Sequence, residues 1–209
     1  MTGHAARRPS YFAGILGILT ALSGALLSMS FIGAEPVIAL RQLEDLQRSL
    51  YQVLPVNAFD NQPSTDIVEL LSTEGAPLRL YRARWSDQPV AFAFEVEGRG
   101  YSGPITLLMG VTVAGEIVGV RVLSHSETPG LGDKIEVTKD NWINLFKGLS
   151  LGNPCESCWA VKKDGGHFDQ FTGATITPRA VVRAVKEGLV LFGEHRLELT
   201  QTATNEVQR

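Results

Sequence analysis

The sequence predicts an α+β protein in which one membrane-spanning helix near the N-terminus precedes a domain with a mainly antiparallel sheet flanked by helices. Three observations predict this. Tyr11 to Ala34 runs 24 residues without a charged side chain. Val90, Phe92, Phe94 and Val96 alternate as a strand requires, and Ile105 to Val113 is joined to Ile117 to Leu123 by only Ala114-Gly115-Glu116, a hairpin connection rather than a crossover. Late in the chain, Val181, Val182, Val185, Leu189 and Phe192 mark one apolar face at helical spacing.

Residues 1–10 form a leader that carries Arg7 and Arg8 and no acid. Residues 11–34 form the anchor. As a helix they reach about 36 Å, enough for a hydrocarbon core of about 30 Å. Gly14, Gly17, Ser23 and Gly24 offer small surfaces on which neighbouring membrane helices pack. A cleaved signal peptide is the competing reading, but its apolar region is shorter and Ile32-Gly33-Ala34 is only a fair cleavage site. With the basic leader inside, the rest of the chain lies outside the cytoplasm.

Residues 35–76 read as a stalk helix and a loop. Glu35-Pro36 opens a second helical stretch with Leu40, Leu43, Leu46, Leu50 and Val53 on one side, Leu54-Pro55 ends it, and Asn57 to Ser64 is rich in turn residues. Residues 77–199 form the domain. Leu78 to Arg84 alternates weakly ahead of the three clearer strands. Thr138 to Leu149 reads as a short helix burying Trp142, Leu145, Phe146 and Leu149. Trp159 to Val161 reads as a strand, followed after Lys162 and Lys163 by a turn at Asp164-Gly165-Gly166. Residues 200–209 are a polar tail.

With 19 basic and 22 acidic residues the net charge is −3 and no basic run occurs, which speaks against a nucleic-acid partner. Ser124, His125 and Glu127 do not make a hydrolase triad, because residues this close on an extended chain point to alternating faces. Cys155 and Cys158 are spaced C-x-x-C, which suits a disulfide, half of a metal site or a thioredoxin-like centre. The histidines supply no matching close pair for zinc, and Gly152-Asn153-Pro154 gives a loop rather than a strand-to-helix setting.

The chemistry concentrates in Asp169 to Pro178, D-Q-F-T-G-A-T-I-T-P. Asp169, Thr172, Thr175 and Thr177 surround the Gly173-Ala174 step just before the last helix. Thr177 is a good N-cap and Pro178 suits the first helical position. The free N–H groups and positive dipole end of a helix start favour an anion such as phosphate, and Gly173 lets the backbone approach it. A capped turn without a ligand has the same residue types.

D-x-x-T-G-A-T resembles the D-x-x-[ST]-G-A-T site at which a flavin transferase attaches FMN, through its phosphate, to the last threonine, here Thr175. The surrounding Trp159 to Pro178, and H-S-E-T-P-G-L-G-D-K-I from His125 to Ile135, are similar to the G subunit of the Rnf/Rsx electron transport complex, whose FMN-binding domain is related to the C subunit of the sodium-pumping NADH:quinone reductase. The resemblance covers most of the chain, and two separated motifs in the right order are more specific than either alone. It implies a cofactor site of Thr175 with Asp169, Thr172, Gly173, Ala174 and Thr177, joined by Glu127, Thr128, Pro129, Gly130, Leu131 and Gly132 as neighbours of the flavin. It assigns no catalytic residue and no metal. The implied partners are the other subunits of that complex, the flavin transferase and the membrane, with a single pass through the bacterial inner membrane and a periplasmic domain. The C-x-x-C departs from the family pattern. Two rival functions remain at this point: a dithiol oxidoreductase using Cys155 and Cys158, and a scaffold that is never flavinylated.

Overall fold

A computed structural model describes residues 9–55, 58–71 and 77–206. The chain divides into two compact units, residues 1–45 and 46–209. Helix α1 spans Pro9–Val53. Pro36, expected to open a second helix, lies inside it, since an interior proline removes one backbone bond and need not end the helix. Within α1, Tyr11–Met29 is long and apolar enough to cross a membrane. Arg7 and Arg8 lie outside the described residues.

The second unit holds a five-stranded antiparallel meander in the order β1-β2-β3-β4-β5, with β1 Ile67–Leu71, β2 Pro77–Trp85, β3 Gln88–Arg99, β4 Pro104–Thr112 and β5 Ile117–Ser124. The expected α+β class, the three clear strands and the β4–β5 hairpin are all present. β1 is an additional edge strand, not expected from the sequence because I-V-E-L-L has no clean alternation.

Both faces of the sheet are covered. On one face Leu80, Phe92, Phe94, Leu107 and Met109 meet Val181, Val182, Val185, Leu189 and Phe192 of α2, which spans Ile176–Glu206. The rings of Phe94 and Phe192 stack with centroids 6.2 Å apart. On the other face the last turns of α1 set Leu50 and Val53, followed by Leu54, on Ala83, Ala91, Ala93 and Leu108. Residues 91–94 are therefore buried without a break, although they alternate between two cores.

The second face consists of small residues for a reason. Ala93, Gly110 and Gly119 pair side by side across β3, β4 and β5. A Cβ on Gly110 would lie 1.9 Å from the carbonyl oxygen of Val53. Gly110→Ala must therefore push backbone against backbone. The expected loss is about 3 kcal/mol, the upper end for overpacking, read as a lowered thermal midpoint of the full chain.

Two short segments differ from expectation. Thr138 to Leu149 contains a 3₁₀ turn, Trp142–Phe146, rather than an α-helix. Asp140 accepts the Trp142 N–H at 2.9 Å and starts the turn. The three-residue period puts Ile143 and Phe146 on one side, so Ile143 is buried while Leu145 is exposed. Trp159 to Val161 forms a single bridge, Val161 to Phe168, rather than a strand. The turn expected at Asp164-Gly165-Gly166 is entered through a 3₁₀ turn, Lys162–Asp164, which Gly165 ends in a left-handed conformation. Trp142, Phe146, Trp159 and Phe168 pack there as one aromatic cluster, with Phe146 and Phe168 stacked at 4.6 Å.

Cys155 and Cys158 are joined as a disulfide, one of the states their spacing allows. Helix α2 continues to Glu206, through residues read as a tail, and Leu199 anchors this end at 1% exposure.

Candidate functional site

The fold brings the two sequence motifs together through one carboxylate. Glu127, in the loop after β5, is 5% exposed. One of its oxygens accepts the Ser102 N–H at 2.9 Å, and the other accepts the Thr177 hydroxyl across 50 residues of chain. The β3–β4 turn, the loop after β5 and the first turn of α2 are thereby tied to a single side chain. His125 holds that loop from the other side. Its Nδ1 accepts the Glu127 N–H at 3.0 Å, which leaves the ring proton of a neutral imidazole on Nε2, 2.9 Å from Glu136 Oε1.

Between these segments opens a cavity of about 370 Å³, within the range of small-molecule sites. Glu127, Thr128, Leu131 and Gly132 line it from the loop, and Gly173, Ala174, Thr175 and Thr177 from the helix start. Tyr101 and Ile176 complete the wall.

Thr175 occupies the N-cap. It immediately precedes α2, and its carbonyl accepts the Arg179 N–H at 3.3 Å, the first bond of the helix. The expected cap at Thr177 with Pro178 in the first helical position lies two residues too late. Thr177 is already helical and fully buried, with its hydroxyl committed to Glu127. Pro178 takes the third helical position, where an N–H has no partner within the helix in any case. Among the described residues, the Thr175 hydroxyl makes no hydrogen bond, and the N–H groups of Ile176 and Thr177 donate to no acceptor.

The remaining candidates sit elsewhere. Pro129 and Gly130 are exposed and do not line the cavity. Asp169 and Thr172 border a different hollow with Lys134 and Trp142. The Asp169 carboxylate pairs with Lys162 at 2.6 Å, while its carbonyl accepts the Trp142 Nε1–H at 2.8 Å. That indole bond fixes the segment that leads into Thr175. On the flank of the helix start, Asp164 and Arg179 form two hydrogen bonds of 2.5 Å. The Arg179 guanidinium holds the Asp164 carboxyl below its ordinary range.

Sequence reasoning missed Tyr101 and Ile176. Tyr101 carried a signal in R-G-Y-S-G-P, an aromatic residue between two glycines where one strand must turn into the next. Ile176 was hidden by the misplaced cap.

Residues 100–190 match the FMN-binding domain family. The G subunit of the ion-translocating oxidoreductase complex of Cereibacter sphaeroides is 49% identical over 185 residues, which cover 88% of this chain and 84% of that protein. Its counterpart from Pseudomonas aeruginosa, with the same name, is 44% identical over 190 residues, 88% of this chain and 89% of that protein. Among solved structures, Shewanella oneidensis NqrC matches with a TM-score of 0.57 over 77% of this chain and 98% of that one. At 21% identity this likeness concerns the fold alone. The matched domain contains the whole cavity, and with relatives of this identity over 88% of its length the chain belongs to the family of G subunits of ion-translocating oxidoreductase complexes.

Proposed function

We propose that this protein relays electrons within a membrane-bound ion-translocating complex through FMN carried as a phosphoester on Thr175. One observation carries the reading. Thr175 stands at the N-cap of a 31-residue helix, on the wall of the cavity where both motifs converge, with a hydroxyl that is unengaged among the described residues.

The residues present fit the group. Phosphate at an N-cap meets the free N–H groups of Ile176 and Thr177 and the positive end of the α2 dipole. Glu127 has both oxygens engaged by protein donors, so its role is to hold the site together rather than to bind the ligand. Leu131 and Ile176 supply apolar wall that excludes water from a flat ring. The flavin, when bound, supplies a carrier that takes up or releases one or two electrons. The phosphoester keeps it in place where free FMN is scarce, replacing bimolecular capture by an effective concentration on the order of millimolar.

The remaining parts of the proposal concern partners and placement. A flavin transferase makes the bond, with Asp169 serving that enzyme more than the finished protein. Tyr11–Met29 crosses the inner membrane, the basic leader stays in the cytoplasm, and the domain faces the periplasm. The sequence has neither a G-x-G-x-x-G after a strand nor the cysteines for an iron–sulfur cluster, and this favours a relay over a self-sufficient dehydrogenase.

Single-turnover reduction tests this. The full flavinylated chain in detergent is expected to be reduced by dithionite but not by reduced nicotinamide, whereas the assembled complex transfers electrons from its donor to the same flavin. Rapid reduction of the isolated chain by reduced nicotinamide would contradict the relay.

A further inference from the structure

We infer that Tyr101 packs its ring on the face of the flavin and is the residue of this chain that quenches and shields it. The inference rests on the proposed flavin at Thr175 and extends it to a residue outside both motifs.

Tyr101 is 73% exposed, well above Tyr51 at 53% and Trp85 at 51%, the other strongly exposed aromatics of the second unit. A single exposed ring is ordinary, but a contiguous group of exposed apolar side chains at one cavity marks a ligand-binding surface. Here the ring lines the same cavity as Thr175, together with Leu131 and Ile176, which are themselves 44% and 47% exposed. Three under-buried apolar side chains from three separate segments thus converge on one cavity. A flat apolar ring system would cover all three at once.

The turn that presents Tyr101 is fixed rather than loose. Gly100 N–H donates to the Gly103 carbonyl at 2.9 Å, and Ser102 N–H donates to Glu127 at 2.9 Å. A Cβ on Gly100 would fall 2.4 Å from Glu127 Oε1 and 2.7 Å from Ile105 Cδ1, so the backbone on one side of Tyr101 is pressed directly on the carboxylate that organises the site. Glu127 therefore sets the position of Tyr101 relative to the helix start as well as that of Thr177. A tyrosine has few rotors to immobilise, and offset or edge-to-face stacking of aromatic rings is favourable beyond the area it buries. Tyrosine is also an electron donor to excited flavin: an electron passes to the excited ring and returns, and emission is lost without net chemistry.

The test uses full-length protein made in its flavinylating host, with Tyr101→Ala and Tyr101→Phe compared to wild type. Flavin fluorescence on a denaturing gel measures the attached flavin of each protein, and the native signals are compared per attached flavin. Native fluorescence is expected to rise severalfold in Tyr101→Ala, together with faster quenching by iodide. Tyr101→Phe is expected to gain emission, because phenylalanine is a poor electron donor, while keeping the wild-type resistance to iodide. Native emission per attached flavin and iodide quenching unchanged in Tyr101→Ala would overturn the inference alone. Wild-type protein without flavin at Thr175 would overturn the underlying reading, and this assignment with it.

Discussion

Thr175→Val is expected to give a folded protein with no covalently bound flavin and a complex with no electron flow through this subunit. Valine keeps the volume and β-branching of threonine and removes only the oxygen that forms the ester. Among the described residues the Thr175 hydroxyl makes no hydrogen bond, so no capping bond is lost and the change in stability is expected to be small. The other hydroxyls of the motif do not substitute. Thr177 is fully buried and committed to Glu127, and Thr172 does not line the cavity. Thr177→Val is a sharper control than its capping role suggested. It keeps Thr175 but leaves one Glu127 oxygen without its donor, a loss of about 1–3 kcal/mol. Flavin on a denaturing gel should therefore vanish with Thr175→Val and persist with Thr177→Val.

Phe168→Ala is expected to have the largest effect on stability. The Phe168 side chain is fully buried, stacked on Phe146 at 4.6 Å and packed on Trp159 at 5.5 Å. Its backbone also closes the loop, accepting the Lys162 N–H at 2.7 Å and donating to the Ala160 carbonyl at 3.1 Å. Truncation of a core phenylalanine removes about 3–5 kcal/mol. For a domain of this size that corresponds to a drop of roughly 6–20 °C in thermal midpoint. Asp169 follows directly in sequence, so the segment leading to Thr175 loses its anchor, and flavin content is expected to fall together with stability. Phe168→Leu, which keeps most of the volume, should recover a large part of both. Circular dichroism melts of the full chains measure the first effect, and the ratio of flavin to protein the second.

The parts of the fold that were legible in the sequence are those whose signal is local. Phe92 and Phe94 alternate because α2 covers one face of β3, and the β4–β5 connection is too short for anything but a hairpin. Val181, Val185, Leu189 and Phe192 repeat because one stripe of a helix meets that face. The signal faded where a second partner intervened. Ala91 and Ala93 look ordinary alone, and only the close approach of Val53 to Gly110 explains why that face is small. β1 lies at an edge with Ile67 43% exposed, so its pattern is weak. The 3₁₀ turn at Trp142 has a three-residue period that a helical reading mistakes for an α-helix, which is why Leu145 was expected inside.

The same division holds at the site. That Thr175 and Glu127, Thr128, Leu131 and Gly132 line one cavity was readable because their motifs are contiguous, whereas Pro129 and Gly130 of the same motif lie outside it. The cap was not, since Thr177 is taken by a residue 50 positions away. A capping rule applied to neighbours alone cannot see that bond. Tyr101 was passed over because its meaning depends on a turn, a loop and a helix start meeting at one cavity.

The central claim is that Thr175 is the one residue that carries FMN, and peptide mass spectrometry of wild-type protein purified from its own host tests it most directly. The peptide containing Thr175 is expected to bear the mass of FMN less one water, with fragment ions placing the added mass on Thr175. Added mass on Thr172 or Thr177, or a peptide that remains unmodified in a functional complex, would contradict it.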